Sequence, residues 1–168
     1  PFTPAQGLHG AKYRFGAKNA SYTMAQDQSN AGTITDWTSS STAAFPLQAD
    51  GDWSKANNPC PDGWRLPTKD EWVQVNSNNT VKRTTNGWAN SAANYKDGIY
   101  FGEGLFLPAA GYRHGSSGTL YGRGYYGHYW SSPQHGTNGY YLLFTSSGVT
   151  PANYSYREYG FPVRCVSE

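Results

Sequence analysis

The sequence predicts a single α+β domain over residues 1–168, with a small antiparallel sheet, one or two helices and extensive loops. Three observations predict this fold class. One short segment carries the signals of a capped helix, most strand-like segments follow Gly98, and thirteen of the twenty glycines lie between Gly98 and Gly160. Helix signals followed by a run of strand signals are typical of α+β domains. No internal repeat and no clear linker divides the chain.

The first part of the chain, residues 1–58, has little periodicity. Aromatic residues alternate with small or polar ones over residues 11–16, which predicts a short strand. Residues 26–52 are rich in Ser, Thr, Ala, Asp and Asn, which predicts loops with room for one helical turn. Four large apolar residues should hold these loops on the core: Trp37, Phe45, Leu47 and Trp53.

A turn followed by a helix is predicted next. Residues 60–68 read Cys-Pro-Asp-Gly-Trp-Arg-Leu-Pro-Thr. The Pro-Asp-Gly step favours a turn because Pro fixes φ and Gly permits a positive φ. Thr68 and Glu71 have the spacing of a capping box, which predicts a helix from Lys69 to about Asn76. The apolar residues that this helix should bury are Trp72 and Val75.

The pattern becomes strand-like after a loop predicted at residues 76–94, which Trp88 should anchor. Residues 99–101 and 105–107 are apolar or aromatic and flank Gly-Glu-Gly, which predicts a hairpin. Three further segments are predicted to be strands, namely residues 128–132, 139–145 and 161–166.

The two cysteines, Cys60 and Cys165, allow two interpretations. A disulfide that closes a loop of roughly a hundred residues would stabilise the fold by about 4–5 kcal/mol in the chain-entropy model. The alternative is two free buried thiols. Charged residues make up only 14% of the chain, against about a quarter in typical domains. This composition is common in exported proteins and favours the disulfide.

Composition and motifs argue against several classes of function. The net charge of +2, without a Lys or Arg run, does not favour nucleic-acid binding. The sequence contains no stretch of 18 apolar residues, so we expect no direct membrane insertion. The nucleophile elbow, the P-loop and the zinc-protease helix motif are all missing, so we expect no enzyme. His114, His128 and His135 lie in a region whose only carboxylate is Glu158, so we expect neither a metal site nor a cofactor.

Residues 112–160 have an unusual composition. They contain ten of the fourteen tyrosines and three of the four histidines, but no Lys and no Met. Tyr, Ser, Gly, Asn and Arg dominate antibody paratopes, where Tyr supplies rigid contact area at low entropic cost. The alternative is an aromatic sheet core, which suits Tyr129, Trp130 and residues 140–144. It suits less well the residues that lie among glycines, and we expect these to face solvent: Tyr121, Arg123, Tyr125 and Tyr126.

Five ordered motifs carry a resemblance to a known family. They are residues 60–68 given above, Glu71-Trp72, Leu-Pro-Ala-Ala-Gly-Tyr-Arg at 107–113, Tyr-Trp-Ser-Ser at 129–132 and Gly-Phe-Pro-Val-Arg-Cys-Val at 160–166. Together they resemble the Fibrobacter succinogenes major paralogous domain, from about Gly10 to the end of the chain. That family is related to the C-type-lectin and formylglycine-generating-enzyme folds, so the resemblance implies a C-type-lectin-like fold.

Within that family, the sequence is similar to the variable proteins of diversity-generating retroelements. In these systems a reverse transcriptase miscopies template adenines, and the altered copy replaces the end of the gene. Targeted AAC codons can then give Tyr, His, Ser, Gly, Arg or Asp, but never Lys, Gln, Glu, Met or Trp. The resemblance implies that residues 112–160 are a hypervariable ligand-binding region whose variable positions are His114, Tyr121, Arg123, Tyr125, Tyr126, His128, His135, Asn153, Tyr154, Ser155, Tyr156 and Tyr159.

The resemblance also implies partners and a location. The expected partner is a protein or glycan on another cell or host surface, and the domain would lie outside the cell, on a cell surface through a lipoprotein or pilus anchor, or on a phage virion. No calcium-binding lectin motif is present, so calcium-dependent sugar binding is not carried over. The alternatives are a surface adhesin of fixed specificity, a structural domain, or an oxidase of the same fold.

Two structural expectations follow. Trp64, Trp72 and Trp130 lie in the family motifs and should be buried in the core. The two aromatic stretches, about thirty residues apart, should meet on one exposed face whose members are Tyr121, Arg123, Tyr125, Tyr126, His128, Tyr154, Tyr156 and Tyr159.

Overall fold

The computed structural model describes residues 5–37, residue 53 and residues 55–168. Phe45 and Leu47, two of the predicted loop anchors, lie outside the described residues, whereas the other two, Trp37 and Trp53, are buried. The described helices are two 3₁₀ turns at Gln6–His9 and Lys55–Asn57, α1 at Met24–Ser29 and α2 at Lys69–Asn78. The described strands are β1 Trp64–Arg65, β2 Val81–Arg83, β3 Gly98–Phe101, β4 Leu105–Pro108, β5 Ala110–Arg113, β6 Leu120–Arg123, β7 Gly127–His135, β8 Asn138–Phe144, β9 Val149–Tyr156 and β10 Val166–Ser167.

Helix α2 begins where the capping box predicts. The Thr68 side chain accepts a hydrogen bond from the backbone of Glu71, and the Glu71 carboxylate accepts one from the backbone of Thr68. Arg65 donates two hydrogen bonds to the same carboxylate, at 2.7 and 2.8 Å. These bonds from Arg65 lower the pKa of Glu71 to about 2. Trp72 is buried and Val75 packs against the core, so the predicted helix and its apolar face are confirmed.

The strands pair antiparallel in small groups. Strands β2, β3 and β4 form one sheet, β5 pairs with β6, β7 to β9 form the third group, and β1 pairs with β10. The hairpin predicted around residues 102–104 is confirmed as β3 and β4. This small, mainly antiparallel architecture with short helices is an α+β fold. None of the helices in the described residues is long and apolar enough to cross a membrane.

The disulfide is confirmed. Cys60 and Cys165 are bonded across 105 residues of chain, with their Cα atoms 5.8 Å apart. The bond lies beside the pairing of β1 with β10, so it connects the turn before α2 to the end of the chain. Both cysteines of the sequence are therefore bonded, and neither is a free thiol.

Two apolar clusters form the core. The first packs Trp72 of α2 against β3, β4, β7 and β8, and the second surrounds Trp130 of β7 with Phe15, Trp53 and Phe161. Trp130 is fully buried, and its indole N–H donates to the carbonyl of Tyr13 at 2.7 Å. The predictions that Trp72 and Trp130 are core residues are thus confirmed.

The prediction for Trp64 is wrong, because 46% of this residue is exposed. Strand β1 has only two residues, and Trp64 lies opposite Ser167 of β10. Its ring lines a shallow groove with Trp72 and Val75 instead of entering either apolar cluster. The motif thus fixes the turn and the helix start, while its tryptophan stays at the surface.

Several strand boundaries also differ from the predictions. Residues 11–16 form only isolated bridges, and residues 161–166 form one bridge at Phe161 before β10. The loop predicted at residues 76–94 contains β2, although Trp88 does pack on the core as expected. Strands β5, β6 and β9 were not predicted. Each contains Gly, or Asn and Ser, which are also common in loops.

Candidate ligand-binding surface

One group of rings, here called the Tyr112 cluster, is built on the β5–β6 hairpin. Tyr112 and Tyr121 are opposite each other in the hairpin, and their ring centres are 6.0 Å apart. The Tyr112 ring also contacts Tyr126 at 6.4 Å and Tyr159 at 5.6 Å. Further ring contacts complete the cluster, whose members are His114, Tyr121, Tyr125, Tyr126, Tyr156, Tyr159 and Tyr112 itself.

Exposure within the Tyr112 cluster is graded. Tyr112 is half-buried, and burial raises the pKa of its phenol. Tyr121 and Tyr125 are 45% and 37% exposed, and Tyr156 is 64% exposed. Partly exposed rings therefore surround the half-buried ring of Tyr112. Together they form an aromatic patch, and such patches often mark interaction sites.

His128 is not part of the exposed surface, so its placement there was wrong. The residue is 6% exposed, and its ring lies beneath the cluster, 4.7 Å from Tyr112 and stacked 5.1 Å from Tyr141. Burial lowers the pKa of His128 to about 3, so the imidazole is neutral at physiological pH. One signal of its burial was present in the sequence, because His128 begins a segment that is predicted to be a strand.

Arg123 is also not exposed, so its predicted placement on the exposed face is wrong. It is 1% exposed and forms an ion pair with Asp27 of α1. It also donates to the Ala92 carbonyl and the Tyr95 hydroxyl, both at 2.8 Å. A guanidinium enclosed by acceptors in this way has no reason to face solvent, and its surroundings come from distant parts of the chain.

Asp27 is the centre of this buried charge cluster. Lys12 and Arg113 pair with its carboxylate at 2.9 and 2.8 Å, in addition to Arg123. Burial alone would raise the pKa of Asp27, but Lys12, Arg113 and Arg123 together lower it below its usual value. One carboxylate thus joins the N-terminal segment to both strands of the β5–β6 hairpin.

The second aromatic stretch lies on β9 and alternates as a strand should. Tyr154 and Tyr156 are exposed, whereas Asn153 and Ser155 are half-buried. The Asn153 side chain accepts a hydrogen bond from the backbone N–H of Tyr154 at 2.9 Å. The predicted variable positions on this strand therefore divide into two that face solvent and two that are partly covered.

A second ring group, the His135 cluster, lies at the far end of β7 and on β8 and β9. It consists of His135, Tyr140 and Tyr154. The His135 and Tyr154 rings are 4.3 Å apart, and the Tyr140 hydroxyl is hydrogen-bonded to the His135 ring at 2.8 Å. The Lys69 ammonium group lies 5.6 Å from the centre of the Tyr140 ring.

The fold brings the two aromatic stretches together only in part. Tyr159 contacts both Tyr112 and His114, and Tyr156 stacks on Tyr159 at 6.5 Å. Tyr154 instead packs in the His135 cluster, and no ring contact in the described part of the chain joins that group to the Tyr112 cluster. Tyr112 and Tyr140 were missed as surface residues, because they lie opposite Tyr121 and Tyr154 on neighbouring strands, a pairing that only the fold shows.

A small pocket opens at the edge of the Tyr112 cluster. Its volume is about 270 Å³, and its lining is His114, Gly115, Ser116, Tyr156, Glu158 and Tyr159. One carboxylate oxygen of Glu158 is shielded from solvent and has no hydrogen-bond partner among the described residues. Rings and hydroxyls therefore dominate the chemistry of this surface, which suits recognition by contact.

The three histidines considered for a metal do not share a site. His114 belongs to the Tyr112 cluster, His128 lies beneath it and His135 belongs to the other group. Among the residues that the structure describes, no three His, Cys, Asp or Glu side chains are close enough to hold a metal ion together.

Comparison with known proteins gives one finding. Residues 88–166 match a domain family described as a domain of unknown function, DUF8237. The matched region includes β3 to β9 and all of the residues of both ring clusters. No curated protein and no solved structure matches the chain.

Proposed function

We propose that this chain is a binding domain of C-type-lectin-like fold that displays a diversified, tyrosine-rich surface, as in the variable proteins of diversity-generating retroelements. The observation that carries the proposal is the exposure of four tyrosines, Tyr121, Tyr125, Tyr154 and Tyr156, in a region where neighbouring residues are buried or half-buried. Exposed Tyr side chains combine large contact area with a hydroxyl group and lose little entropy on binding.

The surface positions form the ligand contact in this proposal. Of the twelve predicted variable positions, ten are exposed or half-buried, and these are His114, Tyr121, Tyr125, Tyr126, His135, Asn153, Tyr154, Ser155, Tyr156 and Tyr159. Arg123 and His128 are buried and hold the surface from beneath. The paired cysteines suit a protein that is displayed outside the cell or on a virion, where the ligand would be on another cell or host surface.

Sequencing tests the proposal directly. The gene should be sequenced from many sister isolates, together with the neighbouring genes. We expect substitutions at the exposed tyrosines, arising from adenines in a near-copy template beside a reverse transcriptase gene, and none at Trp130. Identical residues at Tyr121, Tyr125, Tyr154 and Tyr156 in all isolates, without such a template, would instead favour an adhesin of fixed specificity.

A further inference from the structure

The Tyr112 cluster and the His135 cluster together, here called the aromatic surface, carry almost no accessible charge. Residues 112–160 contain only four Arg, Lys, Asp or Glu residues, and these are Arg113, Arg123, Arg157 and Glu158. The three arginines are 0%, 1% and 2% exposed. Glu158 is half-buried and interacts electrostatically with Arg14 and Arg157, which offset its charge.

A cation outside this segment, Lys69, is also paired with a carboxylate. Lys69 lies over the Tyr140 ring of the His135 cluster, and its ammonium group is 2.8 Å from the Asp70 carboxylate. Within the described residues, the side chains that the two ring clusters offer to a ligand are phenols and imidazoles. A charged group of a ligand would lose water on this surface without gaining an opposite charge, which is unfavourable.

We infer that the partner is a protein whose contacting patch is uncharged, and that its association is nearly independent of salt. This inference rests on the proposed function and specifies the chemistry of its ligand. Without charges to steer the encounter, on-rates should be those of neutral protein pairs, about 10⁵–10⁶ M⁻¹s⁻¹. Discrimination would come from shape and from the hydroxyl groups of the exposed tyrosines.

Two features favour a protein over a neutral glycan. The amide oxygen of Asn153 is already used by the backbone of Tyr154, and a Glu158 oxygen is shielded from solvent. These two planar groups are therefore less able to bind pairs of sugar hydroxyls. Exposed Tyr rings, in contrast, are the residues that carry binding energy at protein interfaces.

The test uses a library of small displayed protein domains with randomised surfaces, selected against the intact chain. The matched variant carries Tyr121→Ser, Tyr125→Ser and Tyr154→Ser. A binder that recognises the natural chain but not this variant is scored as face-dependent, because it needs the exposed tyrosines. We expect face-dependent binders to be depleted of Lys, Arg, Asp and Glu relative to the unselected library. Their Kd should change less than about threefold between about 0.05 and 0.5 M NaCl.

A charged control shows that the library can report the opposite result. The variant Tyr125→Glu should select binders rich in Lys and Arg whose Kd rises at least about tenfold over the same salt range. If binders of the natural surface are themselves rich in charge or equally sensitive to salt, the inference fails while the proposed function stands. Face-dependent binding of neutral glycans, without any face-dependent protein binder, would also contradict the inference and leave the proposed function standing. If no binder of either kind depends on the face, the proposed function itself fails.

Discussion

The two sides of the β5–β6 hairpin differ in almost every physical property. One side presents Tyr112 and Tyr121 to a partly exposed ring cluster. The other side buries Arg113 and Arg123 around the carboxylate of Asp27. Adjacent residues such as Tyr112 and Arg113 therefore serve opposite purposes, because alternate side chains of a strand point to opposite faces.

The comparison explains how such a surface could tolerate change. The buried side of the hairpin is held by hydrogen bonds and ion pairs to Asp27, which is 86 positions from Arg113 and 96 positions from Arg123. The ring side then makes a smaller contribution to folding, since its outer members face water. We therefore expect most of the stability to come from the buried charges and the apolar clusters, and little of it from the exposed rings.

Acid should produce the largest effect, because each side of the hairpin has a buried neutral histidine. Burial, followed by Lys12 and Arg123, lowers the pKa of His9 to about 3, and burial does the same for His128. The unfolded chain binds protons below about pH 6.5 whereas the folded chain does not. Stability should therefore be nearly constant from about pH 7 to about pH 8 and fall by on the order of 5 kcal/mol by about pH 4.

Urea denaturation between about pH 4 and pH 8 measures this loss. The variant His128→Phe keeps an aromatic ring in the same packing but cannot titrate, so it should lose less stability in acid. His114→Phe, at a half-buried position of the Tyr112 cluster, serves as the control and should follow the parent. Equal acid sensitivity in the parent and the His128 variant would show that the buried histidine is not the cause.

The next largest effect should come from removing the one carboxylate of the charge cluster. Asp27→Asn keeps the shape of the side chain but leaves Lys12, Arg113 and Arg123 buried without their counter-ion. Breaking a buried ion pair in this way costs about 3–5 kcal/mol. The free energy of unfolding should show this loss, and Asp70→Asn, at an exposed ion pair, should be nearly neutral. A small effect of Asp27→Asn would mean that backbone carbonyls alone can balance these cations.

The sequence predicted those features whose causes are local. The capping box of Thr68 and Glu71 fixed the start of α2, and apolar residues around a Gly-Glu-Gly turn fixed the β3–β4 hairpin. The disulfide was one of two open interpretations, and composition favoured the correct one. These signals lie within a few residues of each other or in the overall composition.

The environment of Arg123 could not be predicted, because its acceptors come from Asp27, Ala92 and Tyr95. Its neighbours in the sequence are glycines, which suggested an exposed loop. Gly122 has a φ of 70°, a left-handed conformation that favours glycine, and it interrupts the regular alternation between Tyr121 and Arg123. Composition thus identified the tyrosine-rich region, and only the fold could separate its exposed ring positions from the buried ones.

Removing an exposed ring should have the smallest effect on stability. Tyr121, Tyr125 and Tyr154 are 45%, 37% and 52% exposed, so replacing each by Ser should change the free energy of unfolding by less than about 0.5 kcal/mol. Tyr141 is only 7% exposed and lies within the second apolar cluster, so Tyr141→Ser should cost about 3–5 kcal/mol. Thermal or urea unfolding of the four single variants gives both numbers in one series. If the exposed positions cost as much as Tyr141, these tyrosines support the fold, and the β5–β6 hairpin has no side that is free to vary.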